Sequence, residues 1–233
     1  MSYDDNFTLN KEYTVELCNE IIKRNLDINL IACTRVDCVD ELVISKLKQA
    51  GLTELGFGIE SGNQYILDKI GKKTTLSQIK GALSLAKSVG IITYGTAMIG
   101  NPYETKKTVR DTIGFLSSLK DLDVAMLAIA TPLPGTSLYE MASTGKGGLK
   151  MVGTKNPKGN RYGSASITVN DLSGKDLVNF QRLGLMRFYA NPHRMLVYLR
   201  LSGWKNFLAV AIESLKTFLI PDIGKVFIKK YFS

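Results

Sequence analysis

The sequence predicts an α/β protein: a partial, incomplete parallel (βα) barrel followed by a mostly helical C-terminal extension. Two observations carry this. Up to about residue 140, short apolar β-branched runs alternate with helical patterns about every 30 residues, the rhythm of βα units. The four runs are also nearly continuous in apolar character, which predicts parallel strands covered on both faces.

The elements follow in order. A helical pattern over 11–25 follows Thr8-Leu9-Asn10, and the first run, INLIACT, predicts a strand over 28–34. A second helix over 39–50 follows Asp37 and stops at Gly51; ELGFGI predicts the second strand over 54–59. Thr75-Leu76-Ser77-Gln78 has the form of a capping box, opening a helix that runs to Val89 before Gly90. The third strand, IITYGTAMI, spans 91–99. A helix over 104–119 begins after Pro102 with Val109, Ile113 and Leu116 on one face, and VAMLAIAT over 124–131 is the fourth strand. Beyond Pro132 the rhythm is lost. Residues 144–170, rich in Gly, Lys, Asn and Ser, predict a long flexible loop or lid, and helical pieces follow over 173–190, 192–201 and 204–219. The expected organisation is a barrel portion over 1–143, the loop over 144–170 and a helical extension over 171–233.

The formal charge of +9 comes from basic residues scattered in singles and pairs such as Lys72-Lys73 and Lys229-Lys230, so it predicts a generally basic surface, with attraction to nucleic acid, phosphates or anionic membrane as the alternative; charge alone does not choose a partner, and no nucleic-acid partner is expected. The three cysteines, with no apolar leader after Met-Ser-Tyr-Asp-Asp-Asn, predict a reduced, cytoplasmic chain. No stretch of 18 uncharged apolar residues exists to span a membrane. The stretch 204–233 alternates Trp204, Phe207 and Phe218 with Lys205, Lys216 and Lys225, a pattern that suits either peripheral contact with anionic lipid or packing against the open side of the barrel. His193 is the single histidine, which leaves no histidine-based metal site and no Ser-His-Asp arrangement, and no phosphate-loop motif is present.

In a parallel barrel the ligand face is built from the carboxyl ends of the strands. After the second strand, Glu60 and Ser61 emerge between Gly58 and Gly62; a carboxylate suits a pair of hydroxyls and a serine suits a carboxylate, the competing reading being that Glu60 caps the next helix. Lys69 and Lys72 bring positive charge to the same rim, where either could hold a carboxylate or simply be solvated. On the third strand and at its end lie Thr96, Ile99 and Gly100; the backbone at Gly100 could lie flat against a purine, and Glu104 suits the N-terminus of the following helix. Pro132-Leu133-Pro134-Gly135-Thr136 forms a rigid wall. At the other edge, Asp4 and Asp5 could take an amino group or be solvated charge, and Arg35 with Asp37 follows the first strand. No catalytic residue and no metal ligand emerges from these segments.

Taken together, Asp4-Asp5-Asn6-Phe7-Thr8, Arg35-Val36-Asp37, Gly58-Ile59-Glu60-Ser61-Gly62, Ile99-Gly100-Asn101-Pro102-Tyr103-Glu104 and Pro132-Leu133-Pro134-Gly135-Thr136 resemble the successive strand-end motifs of radical S-adenosylmethionine (SAM) enzymes, closest to the subgroup that carries a cobalamin-binding domain. Phe188-Tyr189 before Asn191-Pro192 is similar to that subgroup's tail. The resemblance implies a partial barrel that binds S-adenosylmethionine and works with a 4Fe-4S cluster, and in this subgroup with cobalamin, to generate a 5′-deoxyadenosyl radical for modification, including methylation, of an unactivated carbon. By similarity Asp4 or Asp5 would receive the methionine amino group, Glu60 the ribose, Ser61 or Lys72 the carboxylate, and Ile99 to Gly100 the adenine; Arg35 and Thr96 join this cofactor-binding set.

The chain departs from the pattern in one respect. The motif Cys-x3-Cys-x2-Cys is absent, and the spacing Cys18-x14-Cys33-x4-Cys38 does not replace it. The resemblance therefore implies a truncated barrel that begins at the end of the second strand and would not cleave SAM alone. Its first strand and cluster loop would come from an upstream-encoded polypeptide completing the barrel, with a small-molecule or lipid-like substrate; the alternative is a non-catalytic remnant or SAM-binding module with no cluster.

Overall fold

The computed structural model describes residues 4–152 and 165–203. In chain order they form α1 (Lys11–Lys23), β1 (Leu30–Thr34), a 3-10 turn (Val36–Cys38), α2 (Glu41–Gln49), β2 (Leu52–Glu60), α3 (Gln64–Lys69), α4 (Leu76–Ser88), β3 (Ile92–Ile99), α5 (Lys106–Ser118), β4 (Val124–Ile129), α6 (Ser137–Thr144), β5 (Leu149–Met151), β6 (Ile167–Val169), α7 (Gly174–Tyr189) and α8 (Pro192–Ser202). The main sheet has the order β1-β2-β3-β4, with β1, β2 and β3 paired in parallel. The predicted α/β class with a parallel sheet is the observed one. The chain divides into two compact units, Met1–Ala97 with Phe115–Met126, and Met98–Gly114 with Leu127–Ser233.

In the first unit the helices start where side chains can satisfy the orphan N–H groups of a first turn. Asn10 caps α1, Asp40 caps α2 and Asn63 caps α3, while Thr75 and Gln78 form the expected capping box of α4. The helix predicted to follow Asp37 therefore starts later, and Asp37 pairs with Arg35 instead.

Among the described residues, β1, β2 and β3 are not covered on both faces. Burial alternates along them: Leu55, Phe57 and Ile59 are buried, as are Thr93, Gly95 and Ala97, while Gly56, Gly58 and Tyr94 are half-buried and Cys33 and Thr96 exposed. The register places Cys33, Gly56 and Tyr94 in one row and Gly58 beside Thr96 in the next, so one side of the sheet is an open face lined largely by small residues. Small residues between apolar ones read as a continuous apolar run in sequence, which is why the period of two was hidden. The covered side is close-packed. A Cβ added at Gly95 would lie 2.6 Å from Ile59 Cδ1 and 2.9 Å from Leu122 Cδ1, leaving room for glycine alone.

Below the sheet, the Asp123 carboxylate ties three segments together. It is 1% exposed and accepts from Lys87 Nζ of α4 at 2.6 and 2.7 Å and from the backbone N–H of Thr93 at 3.1 Å. Removing it leaves the Thr93 N–H unsatisfied, whereas Lys87, one-third exposed, can turn to water. Asp123→Ala should therefore cost about 2 kcal/mol in urea unfolding, less than a fully desolvated pair would; a change under about 0.5 kcal/mol would refute the clamp.

In the second unit α5 starts at Lys106, two residues later than predicted, so Glu104 stands in the turn before it. The stretch 144–170, predicted as a loop, contains the antiparallel pair β5–β6; residues 153–164 lie outside the described residues. Gly147 and Gly148 take φ of +67° and +76°; Gly147 O accepts from Tyr103 N at 2.7 Å, and Asn170 N donates to Gly148 O at 2.9 Å. On α7, Gly184 lies against Leu127 and Ile113, and Gln181 donates to the Leu127 carbonyl at 2.7 Å. The helical pieces expected near 173–190 and 192–201 are α7 and α8; the amphipathic stretch 204–233 lies outside the described residues.

Candidate functional site

The strongest constellation in the first unit forms where β2 ends. The β2–β3 register shifts between Gly58 and Glu60, and Glu60 adopts φ +62°, a left-handed conformation that costs a non-glycine residue free energy. Its carboxylate folds back over the strand and accepts from Lys72 Nζ at 2.9 Å. Both charged atoms lie over Gly58: a Cβ there would sit 2.9 Å from Glu60 Oε1 and 2.9 Å from Lys72 Nζ. The side chains of Glu60 and Lys72 are 29% and 13% exposed, enough for a ligand to reach the carboxylate and little enough to strengthen the attraction. Asn63, and not Glu60, caps the helix that follows, which removes the competing reading of Glu60.

The other expected positions fall as follows. Ser61 is fully buried and its hydroxyl accepts from Asn63 N at 3.2 Å, a turn-forming bond at the head of α3. Lys69 lies over the Tyr65 ring at 5.3 Å. Thr96 is exposed on the open face, beside Gly58 in the register. Asp4 and Asp5 are exposed at the turn whose Phe7 N–H donates to Cys33 O at 2.9 Å. Arg35 donates from Nε and Nη2 to the two oxygens of Asp37, at 2.9 and 2.8 Å, and from Nη2 to the backbone carbonyl of Lys72 at 3.0 Å. The Arg35 hydrogen bonds to its carboxylate hold Asp37 below its ordinary range.

Ile99 and Gly100 belong to the second unit. Ile99 is fully buried, so any ligand contact at this point falls to the backbone. Gly100 has φ +85°, and Glu104 shapes the turn: its Oε2 accepts from Gly100 N at 2.6 Å and Asn101 N at 3.0 Å, and Asn170 donates to the Glu104 backbone carbonyl at 2.7 Å. Glu104 is 0% exposed and, among the described residues, its Oε1 has no hydrogen-bond partner. Burial outweighs the two backbone donors and pushes its pKa up to about 7. Sequence reasoning placed Glu104 at a helix N-terminus facing the dipole; the carboxylate instead turns into its own loop.

Two features were missed. Gly58 is the floor on which the charged pair rests, and Arg35 reaches the Lys72 backbone. The first had a signal, since Gly56 and Gly58 alternate within a strand and mark a close approach.

The cysteines do not fit a cluster held by three thiolates. Cys18 is buried on α1, Cys33 lies on the open face and Cys38 accepts from Asn6 Nδ2 at 3.5 Å. Burial pushes the Cys18 thiol up; enclosure of its sulfur and then the Asp5 carboxylate push Cys33 up, both away from the thiolate that ligates metal. Among the described residues no group of three His, Cys, Asp or Glu side chains could hold a metal ion.

Residues 1–116 match the radical SAM superfamily. An uncharacterised methyltransferase of Pyrococcus horikoshii is 42% identical over 139 residues, 60% of this chain and 30% of its own length. An anaerobic magnesium-protoporphyrin IX monomethyl ester cyclase of Rubrivivax gelatinosus is 32% identical over 139 residues, 59% of this chain and 25% of its own. The chain thus spans between a quarter and a third of these relatives. A radical S-adenosylmethionine methyltransferase from Kitasatospora setae, solved with cobalamin and a 4Fe-4S cluster, shares the fold with a TM-score of 0.57 at 24% identity, over 66% of this chain and 33% of that one. With the order of its strand-end motifs, its parallel α/β sheet and the match over its first half, the chain belongs to the radical SAM superfamily.

Proposed function

We propose that this chain is the S-adenosylmethionine-binding portion of a radical SAM enzyme, one that modifies an unactivated carbon, with methylation as one such modification. The observation that carries the proposal is the Glu60 carboxylate, held in a left-handed conformation over Gly58 by Lys72 at the carboxyl end of a parallel strand. A carboxylate in that place accepts from both hydroxyls of a ribose. Lys72, released from Glu60, can meet the methionine carboxylate. Asp4 or Asp5 would take its amino group. Support for methylation comes from the similarity to the Pyrococcus methyltransferase and the Kitasatospora methyltransferase, and cobalamin enters the proposal through the strand-end motifs and the Kitasatospora neighbour.

The cluster is the group this chain does not fit, so its three cysteines would be supplied by polypeptide outside this sequence. The same mismatch favours a second reading, a module that binds S-adenosylmethionine without cleaving it. Iron and sulfide added anaerobically to the purified chain should give no cluster absorbance, while S-adenosylmethionine still binds by calorimetry. Absence of binding would remove both readings. A cysteine triad encoded next to this reading frame, whose product joined to the chain cleaves S-adenosylmethionine, separates the first from the second.

A further inference from the structure

We infer that Arg35 is a positioning residue for the Glu60–Lys72 pair, acting through the backbone carbonyl of Lys72 and not by touching the ligand. The inference rests on the S-adenosylmethionine reading of Glu60 and Lys72. A lysine stem has several rotatable bonds, so the aim of its ammonium depends on how firmly its own backbone is held. Lys72 sits between Gly71 at φ +70° and Lys73 at φ +57°, departures from ordinary backbone on either side of it that leave the loop with little regular structure to hold it.

The loop is pinned at three points. Lys72 N donates to Leu67 O at 3.0 Å, at the end of α3. Gln64 donates to Thr74 O at 3.0 Å and accepts from Leu76 N at 3.1 Å, which fixes the exit towards α4. Both anchors come from within the same βα connection. The third, Arg35 Nη2 to Lys72 O at 3.0 Å, joins it to the end of the neighbouring strand β1. Arg35 is itself set by its fork on Asp37, so the chain of support runs from Asp37 through the guanidinium to the Lys72 peptide, and from Lys72 Nζ to Glu60. With Nε on Asp37 and Nη2 shared between Asp37 and the Lys72 carbonyl, two of the three guanidinium nitrogens hold the protein together.

A direct ligand contact and a positioning role make different predictions in a double-mutant cycle. Arg35→Ala should weaken S-adenosylmethionine binding roughly tenfold, and the Arg35→Ala, Lys72→Ala double variant should bind no more weakly than Lys72→Ala alone. Arg35→Lys should not restore affinity, because one ammonium cannot both grip Asp37 and reach the carbonyl. In the absence of ligand, acetylation of Lys72 by acetic anhydride, followed by mass spectrometry, should rise several-fold in Arg35→Ala relative to the unaltered chain. Should Arg35→Ala fail to fold, Asp37→Asn frees the same guanidinium and should raise Lys72 labelling in the same direction. Losses that multiply in the double variant, or Lys72 labelling that does not change, would overturn the positioning role. A chain that binds no S-adenosylmethionine would instead defeat the site reading, and the labelling would still decide whether Arg35 holds Lys72.

Discussion

Glu60→Ala should lower the affinity of the chain for S-adenosylmethionine roughly 10- to 100-fold, the effect of removing a charged acceptor from two hydroxyls. The melting temperature should stay close to that of the unaltered chain. The pair lies on the open face, Lys72 can turn outward once its partner is gone, and alanine keeps the backbone choices of the turn close to those of glutamate. Gly58→Ala gives an independent check. Its Cβ would come within 2.9 Å of both Glu60 Oε1 and Lys72 Nζ, so the pair must leave its seat although neither charged residue has been altered. A loss of affinity of roughly tenfold is expected there too. Equal affinity in both variants and the unaltered chain would place the ligand elsewhere.

The second large effect is on stability against pH. Glu104 is buried, and its pKa is raised from 4.5 to about 7 by desolvation. Below about pH 4.5 the carboxyl is protonated in folded and unfolded chains alike and contributes no pH dependence. Between 4.5 and 7 the unfolded chain gives up its proton first, the folded chain holds more protons, and stability falls as pH rises. Above about pH 7 the full penalty of the buried charge is present, about 3 kcal/mol. Glu104→Gln cannot ionise and keeps an oxygen for the N–H groups of Gly100 and Asn101. The difference in unfolding free energy between Glu104→Gln and the unaltered chain should therefore grow in favour of the variant from pH 4.5 to 8, by about 3 kcal/mol. Taking the difference cancels the other titrating groups, among them Asp37 and Asp40, whose depressed pKa values act at lower pH. A difference that stays constant over that range would show that Glu104 is not desolvated as described.

Much of the architecture was legible before any coordinates. The turn and cap signals marked most of the elements: Gly51 and Gly90 follow α2 and α4, and the Thr75–Gln78 capping box opens α4. What misled was side-chain size. Cys33, Gly56, Gly58 and Thr96 do not interrupt an apolar run strongly enough to reveal an open face, and the six-residue α3 is too short for a helical period to register. Likewise β5 and β6 have three residues each, separated by a glycine- and lysine-rich stretch, and strands so brief are fixed by their cross-strand partners, here Leu149 with Val169, and not by their own pattern.

The candidate site shows the same division. Glu60, Ser61 and Lys72 could be named from sequence because glycine-flanked polar residues at the end of an apolar strand have few other reasons to be there. Their relationships could not be named. That Glu60 meets Lys72, that both rest on Gly58, and that Arg35 holds the Lys72 backbone depend on a left-handed φ at Glu60 and on the β1–β2 register, and neither has a local signature. Glu104 makes the contrast sharpest. By itself the sequence determined that a carboxylate stands beside the Gly100 turn, but its direction, and with it a pKa near 7, was decided by the tertiary structure, because desolvation depends on which atoms surround a group and not on which residues precede it.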